Sequence, residues 1–261
     1  MLFDINAYVG HWPFKKLRHN TCAEMLGRMD RFNVRYTIVS NLNGIFYKNT
    51  QSANEELYDE INSDNRFKNR IIPFAVINPI YAGWKDDLET SCGRMGMKGI
   101  RIYPLYHDYD LAEPSLIELV RLARDKSLPV ALTLRMVDSR QRSWMDIENE
   151  WELKDVIPVI KAVPDAKFMI LNIANNINLS DEDAALIRKT DILMDTSGRE
   201  INDLGGLIKK YGRDKFAMGT HAPILDYLTG ILRIESLRSP EADEDTRELI
   251  RSGNAKKFLR L

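Results

Sequence analysis

Residues 98–135 read KGIRIYPLYHDYDLAEPSLIELVRLARDKSLPVALTLR. A short apolar run (98–104) is followed by Leu116, Leu119, Val120 and Ala123 at helical spacing (115–126), then by a second apolar run (128–135). Strand, helix and strand in this order form a parallel unit with the helix covering the sheet. Working outward, the pattern repeats. Apolar runs stand at 2–9, 36–42, 71–78, 98–104, 128–135, 166–172, 191–197 and 215–220. Amphipathic segments at 21–33, 115–126, 152–162, 181–189, 204–212 and 241–251 read as helices. Eight runs in 261 residues leave about 33 residues per repeat, enough for one strand, one helix and two short loops. The expected fold is α/β, a single-domain (β/α)8 TIM barrel over residues 1–261. A doubly wound open sheet is the alternative, but GxGxxG does not follow the first strand.

Composition narrows the function classes. The chain is 44% hydrophobic and 29% charged, with 37 basic against 38 acidic side chains and a net charge of -1. A balance so near neutrality offers no general attraction for nucleic acid or anionic lipid. No apolar run approaches the roughly 20 residues that cross a bilayer, and MLFDINAYVG has no basic head with a cleavage site. The sequence therefore reads as cytoplasmic. Cys22 and Cys92 are far apart, which suits two reduced thiols. The four histidines, His11, His19, His107 and His221, are too scattered to announce a metal centre.

In a barrel of this kind chemistry gathers where strands end. Those ends supply Asn6 and Tyr8, Asn41, Asn78, Arg101 and Tyr103, Thr133 and Arg135, Asn172, Asp195 and His221. Period-two alternation places Asn6 with Tyr8, Arg101 with Tyr103, and Thr133 with Arg135 on inward faces, and Ile100 with Ile102 on the opposite one.

Four motifs together resemble the amidohydrolase superfamily, in its amidohydrolase-2 branch of single-domain barrels. They are FDINAYVGHWPF (3–14), PDAKFMILN (164–172), FAMGTHAP (216–223) and IRSGNAKKFL (250–259). The resemblance implies the same barrel and, in usual members, a metal held by an HxH pair, two further histidines and an aspartate. At those positions this chain has Asn6 and Tyr8, Thr133, Asn172 and His221. Amides, a phenol and a hydroxyl bind divalent transition ions weakly, so no catalytic metal and no cofactor are expected. An alternative set of His11, His107, His221 and Asp195 has no support in spacing.

The resemblance, with relatives that open lactones without metal, implies a metal-independent, lactonase-like hydrolase acting on a small carboxylate-bearing molecule. His221 is the expected base, Asp195 its orienting partner, and Tyr8 or His107 the acid. Arg101 and Arg135 are expected to grip the anionic substrate, unless each pairs with an acid such as Asp138 or Asp195. Asn6, Tyr8 and Asn172 either form a polar floor with Tyr103 or satisfy one another. The long stretch 136–151, with Trp144 and Trp151, reads as a lid that places Trp144 against substrate, or as an added surface helix or homodimer contact. His11, Trp12 and Phe14 are expected to cover the mouth. The rival functions are an inactive barrel that binds a small organic acid, and a decarboxylase or isomerase on the same scaffold.

Overall fold

The computed structural model describes residues 1–140, 142–173, 177–198 and 203–261. Among these residues nine short strands build the wall: β1 (Leu2–Val9), β2 (Val34–Asn41), β3 (Ile71–Pro73), β4 (Ala75–Val76), β5 (Ile100–Ile102), β6 (Val130–Thr133), β7 (Phe168–Leu171), β8 (Ile192–Asp195) and β9 (Phe216–Ala217). Neighbours pair in parallel, β1 to β2 to β3 and β4 through β9. β3 and β4 are two halves of one barrel strand that changes partner at Phe74. Its amide donates to Val39 before that of Ala75 donates to Gly99. A Cβ on Gly99 would stand 2.5 Å from the Phe74 ring, so this switch needs glycine at 99. β9 returns to β1 through Ile5 N–H to Met218 (2.9 Å), Tyr8 N–H to Ala222 (2.8 Å) and His221 N–H to Asn6 (2.7 Å). The expected (β/α)8 barrel is the fold.

Helices fill the expected intervals at Cys22–Arg31, Pro114–Asp125, Leu153–Ala162, Asp181–Lys189 and Leu204–Tyr211. The last expected helix begins at Glu244 and widens into a π-helical turn over Leu249–Gly253. Helices at Thr50–Asn62, where apolar positions are sparse, and at Tyr227–Glu235, which Gly230 interrupts, were not expected. Strand residues sort into two layers. Ile100, Ile102, Val130, Leu132, Phe168 and Ile170 pack outward against helices, while Ile5, Phe74, Ala131, Met169, Leu171 and Leu193 fill the interior.

One irregularity positions the mouth. The β1/β2 register shifts between Asp4 and Ala7, so Phe3 and Ile5 face the interior core while Tyr8, out of phase with them, faces the mouth. A bulge re-aims side chains in this way. Asp4 anchors it by accepting from the Asn6 and Thr220 amides (both 3.0 Å) and the Thr220 hydroxyl (2.5 Å). Burial pushes the Asp4 carboxyl up to about 7 against these three bonds. Among the described residues, no helix is long and apolar enough to cross a membrane.

Candidate functional site

Six strand ends meet at the mouth. Asn6 is its hub. Its amide nitrogen donates to Asp195 Oδ2 (2.7 Å), Ser197 Oγ (3.1 Å) and His221 Nδ1 (3.1 Å), and its oxygen accepts from Arg101 Nη1 (3.3 Å). The Tyr8 hydroxyl lies 3.3 Å from Thr133 Oγ1 and 3.4 Å from His221 Nδ1. Two of the residues that end strands have positive φ, Asn172 (54°) and His221 (58°). Asparagine and histidine are among the residues that tolerate this region. Gly219 lies against Asp195, where a Cβ would stand 2.5 Å from Oδ2.

His221 is wholly buried, and its Nε2 donates to the Met136 carbonyl at 2.7 Å. A carbonyl only accepts, so the proton sits on Nε2 and the Nδ1 lone pair receives Asn6 and Tyr8. Burial first, then the Arg101 and Arg135 charges, lower its pKa to about 3. The expected Asp195–His221 couple is therefore corrected: the Met136 carbonyl orients the imidazole. Asp195 instead accepts from Asn6, Ser197 and the Asn172 amide (2.7 Å). Burial raises its pKa, with the hydrogen bonds opposing.

Arg101 is fully buried, with its guanidinium 4.4 Å from the centre of the Tyr8 ring. Its Nε and Nη2 groups have no hydrogen-bond partner among the described residues. Neither does the buried hydroxyl of Tyr103, while that group and the Asp195 carboxylate lie near enough to favour the charged guanidinium. Arg135 is also buried and stands 3.5 Å from Glu150 Oε1. Asn172 donates to the Arg135 carbonyl at 2.7 Å.

Two expected site residues stand apart. His107 is buried between Tyr103 and Tyr109, with Nε2 donating to the Gly44 carbonyl at 3.1 Å, and its pKa falls to about 4 through burial. Among the described residues no hydrogen bond joins it to Tyr8 or His221. Trp144 is 89% exposed, which corrects the expectation that it contacts substrate. Charged neighbours leave that tip in solvent, whereas Ile147, Glu150 and Trp151 of the same segment line the mouth. Gln141, within this segment, lies outside the described residues, and among the described ones the segment forms no helix.

The roof is aromatic. Trp12 packs edge-on against Phe14, Phe46 and Tyr106 at 5.2–5.9 Å, and the Tyr106 hydroxyl donates to Asp146 at 3.0 Å. Beside Tyr106 a recess of about 10 Å³ opens between Tyr103, Thr133, Arg135 and Met136, room for roughly one water. Sequence reasoning missed Ser197, Asp146 and Glu150. Only Ser197 left a signal, its place two residues after Asp195.

This donor set does not fit a divalent transition ion. Asn6 presents its amide nitrogen, and the imidazole lone pair already faces two donors. A guanidinium sits over the phenol, and no group of three or more His, Cys, Asp or Glu gathers among the described residues.

Replacing Asp195 with Asn turns one acceptor oxygen into a donor among groups that already donate. The expected cost is about 2–4 kcal/mol, a melting temperature lower by roughly 5–10 °C in a thermal melt. An unchanged melt would refute this reading of the hub.

No family model and no curated protein matches the sequence. Solved structures do match in fold. A dihydroxybenzoic acid decarboxylase from a Polaromonas species, solved with manganese and 2-nitroresorcinol, has a TM-score of 0.76 at 13% identity, covering 100% of this chain and 97% of that one. A 5-carboxyvanillate decarboxylase from Sphingomonas paucimobilis has 0.73 at 12%, covering 100% and 99%. Amidohydrolase 2 from Bifidobacterium longum subsp. infantis has 0.62 at 15%, covering 100% of both. The chain shares the barrel fold of these structures from end to end.

Proposed function

We propose that the barrel mouth binds a small organic carboxylate through Arg101, with no divalent ion between them. One observation carries this reading: the unpartnered Nε and Nη2 groups of a fully buried guanidinium. Arginine cannot shed its proton, and each unmade buried bond costs roughly 1–3 kcal/mol. These two groups form the edge that grips a carboxylate in parallel. The chain uses that edge elsewhere, Arg140 on Asp138 (both 3.0 Å) and Arg251 on Glu235 (2.7 and 2.6 Å). Tyr8, Tyr103 and the aromatic roof supply flat apolar walls, and the solved neighbours named for dihydroxybenzoate and carboxyvanillate favour an aromatic acid. Entry requires the surrounding side chains to move, since Arg101 is wholly buried.

Hydrolysis of a lactone or ester is the second reading, favoured by the Tyr8 hydroxyl beside His221 Nδ1. With a pKa near 3, that nitrogen is neutral at pH 7 but a weak base toward water, so binding is the better supported function.

In a thermal-shift assay on chelator-treated protein, benzoate and 2,6-dihydroxybenzoate are expected to raise the melting temperature and benzamide to leave it unchanged. Stabilisation that appears only with added manganese or zinc, or equally with benzamide, would overturn the proposal. Lactone turnover by the same preparation, lost in His221→Asn, would favour the second reading.

A further inference from the structure

The C-terminal helix Asn254–Leu259 carries Phe258 into the floor of the barrel, where it joins the interior core around Phe3, Phe74 and Leu193. Beside this plug, at the end opposite the mouth, lies a cavity of about 610 Å³. Its walls form where barrel strands begin: Ile71 and Ile72 of β3, Lys98 ahead of β5, Leu128 and Pro129 ahead of β6. Small-molecule sites span roughly 300–1,000 Å³, so this space accepts a ligand that the closed mouth does not.

The side-chain charge of the lining, which also includes Leu261, is one-sided. Lys68, Arg70, Lys98, Lys167 and Arg260 contribute to it, and no acidic side chain does among the described residues. Two of these cations have duties within the fold. Arg70 donates to the Val34 and Arg35 carbonyls and pairs with Asp30 at 3.0 Å, and Lys167 donates to the Phe258 carbonyl at 2.7 Å. Lys68, Lys98 and Arg260 are exposed and, among the described residues, in no ion pair. In a chain of net charge -1, three such cations around an apolar recess make a local field for an anion with an apolar body. A concave floor of Ile72, Leu128 and Phe258 suits a single short chain or ring rather than a flat macromolecular face.

We infer that the basal cavity binds an amphipathic organic anion. Its acyl or aryl body lies on Ile72, Leu128 and Phe258, and its carboxylate or phosphate head meets Lys68, Lys98 and Arg260. The site is separate from the mouth and does not depend on Arg101.

Isothermal titration of the full chain with decanoate, below its micelle concentration, tests this. One-site binding is expected, absent for decanol and for decyltrimethylammonium. Lys68→Glu with Lys98→Glu should weaken it by about tenfold or more and leave the circular dichroism unchanged, both side chains being exposed. Arg101→Met should bind decanoate as the wild type does. Equal affinity for decanol, indifference to the charge reversal, or loss in Arg101→Met would each overturn the inference. So would co-sedimentation with phosphatidylglycerol vesicles in the absence of saturable decanoate binding, which would assign the cations to a lipid surface.

Discussion

Arg101→Met is expected to melt higher than the wild type while losing its affinity for benzoate. Methionine matches the length of the side chain and removes a charge that the fold has taken wholly out of water. The losses are bounded: one hydrogen bond to Asn6, worth about 1 kcal/mol, and a desolvated contact with the Tyr8 ring, worth about 2 kcal/mol. Against them stands the desolvation of two groups that make no hydrogen bond, at roughly 1–3 kcal/mol each, partly offset by the nearby Asp195 carboxylate. The balance favours the variant by up to about 3 kcal/mol, a few degrees in a chain of this size. Binding moves the other way. Removing one partner of a buried, hydrogen-bonded charge pair costs about 2–5 kcal/mol, or from thirtyfold to over a thousandfold in affinity for benzoate. Arg101→Lys keeps the charge but loses the fork, so it should bind at an intermediate level. A variant that melts lower and binds unchanged would show that Arg101 serves the fold instead.

Period and spacing made the barrel legible, because each β/α unit must bury one face and the run lengths leave few alternatives. The inward set Tyr8, Arg101, Tyr103 and Thr133 followed from alternation at the strand ends. What alternation could not supply was phase. The bulge in β1 depends on Asp4 meeting Thr220 across 216 positions of sequence, and nothing local to residues 3–8 requires it. The same limit applied to His221. Its neighbour in space is the carbonyl of Met136, a backbone atom that every residue has, so no side-chain pattern could name it. Asp195 looked like a partner by chemistry and proved to be the acceptor for Asn6. The closed roof, too, depends on rings from three separate loops meeting at Trp12.

Two pairs of buried groups should hide each other's effect on stability between about pH 4 and 6.5. Asp4 has an ordinary value of 3.8 and a folded value of about 7, so across that interval the folded chain holds a proton that the unfolded chain has released. Its contribution is complete below pH 3.8 and is lost as pH rises through 7, about 4 kcal/mol in all. His221 behaves oppositely. Its value falls from 6.5 to about 3, so the unfolded chain takes up the extra proton, and about 5 kcal/mol present above pH 6.5 is lost as pH falls through 3. His107, lowered to about 4, adds to the His221 slope, and Asp195, raised by burial, adds to that of Asp4. The wild type should thus show a shallow profile, from which single substitutions release opposite slopes. Asp4→Asn preserves the staple, since the new amide can donate to the Thr220 hydroxyl that now donates to Asp4. Its unfolding free energy should climb with pH more steeply than the wild type's by about 1.4 kcal/mol per pH unit. His221→Asn, a residue that accepts the positive φ, should tilt the profile the other way by a similar amount. Urea unfolding at pH 4.5, 5.5, 6.5 and 7.5 reads both slopes. Variants whose profiles run parallel to the wild type's would mean that Asp4 ionises in the fold and that His221 reaches water, which would also reopen its use as a base.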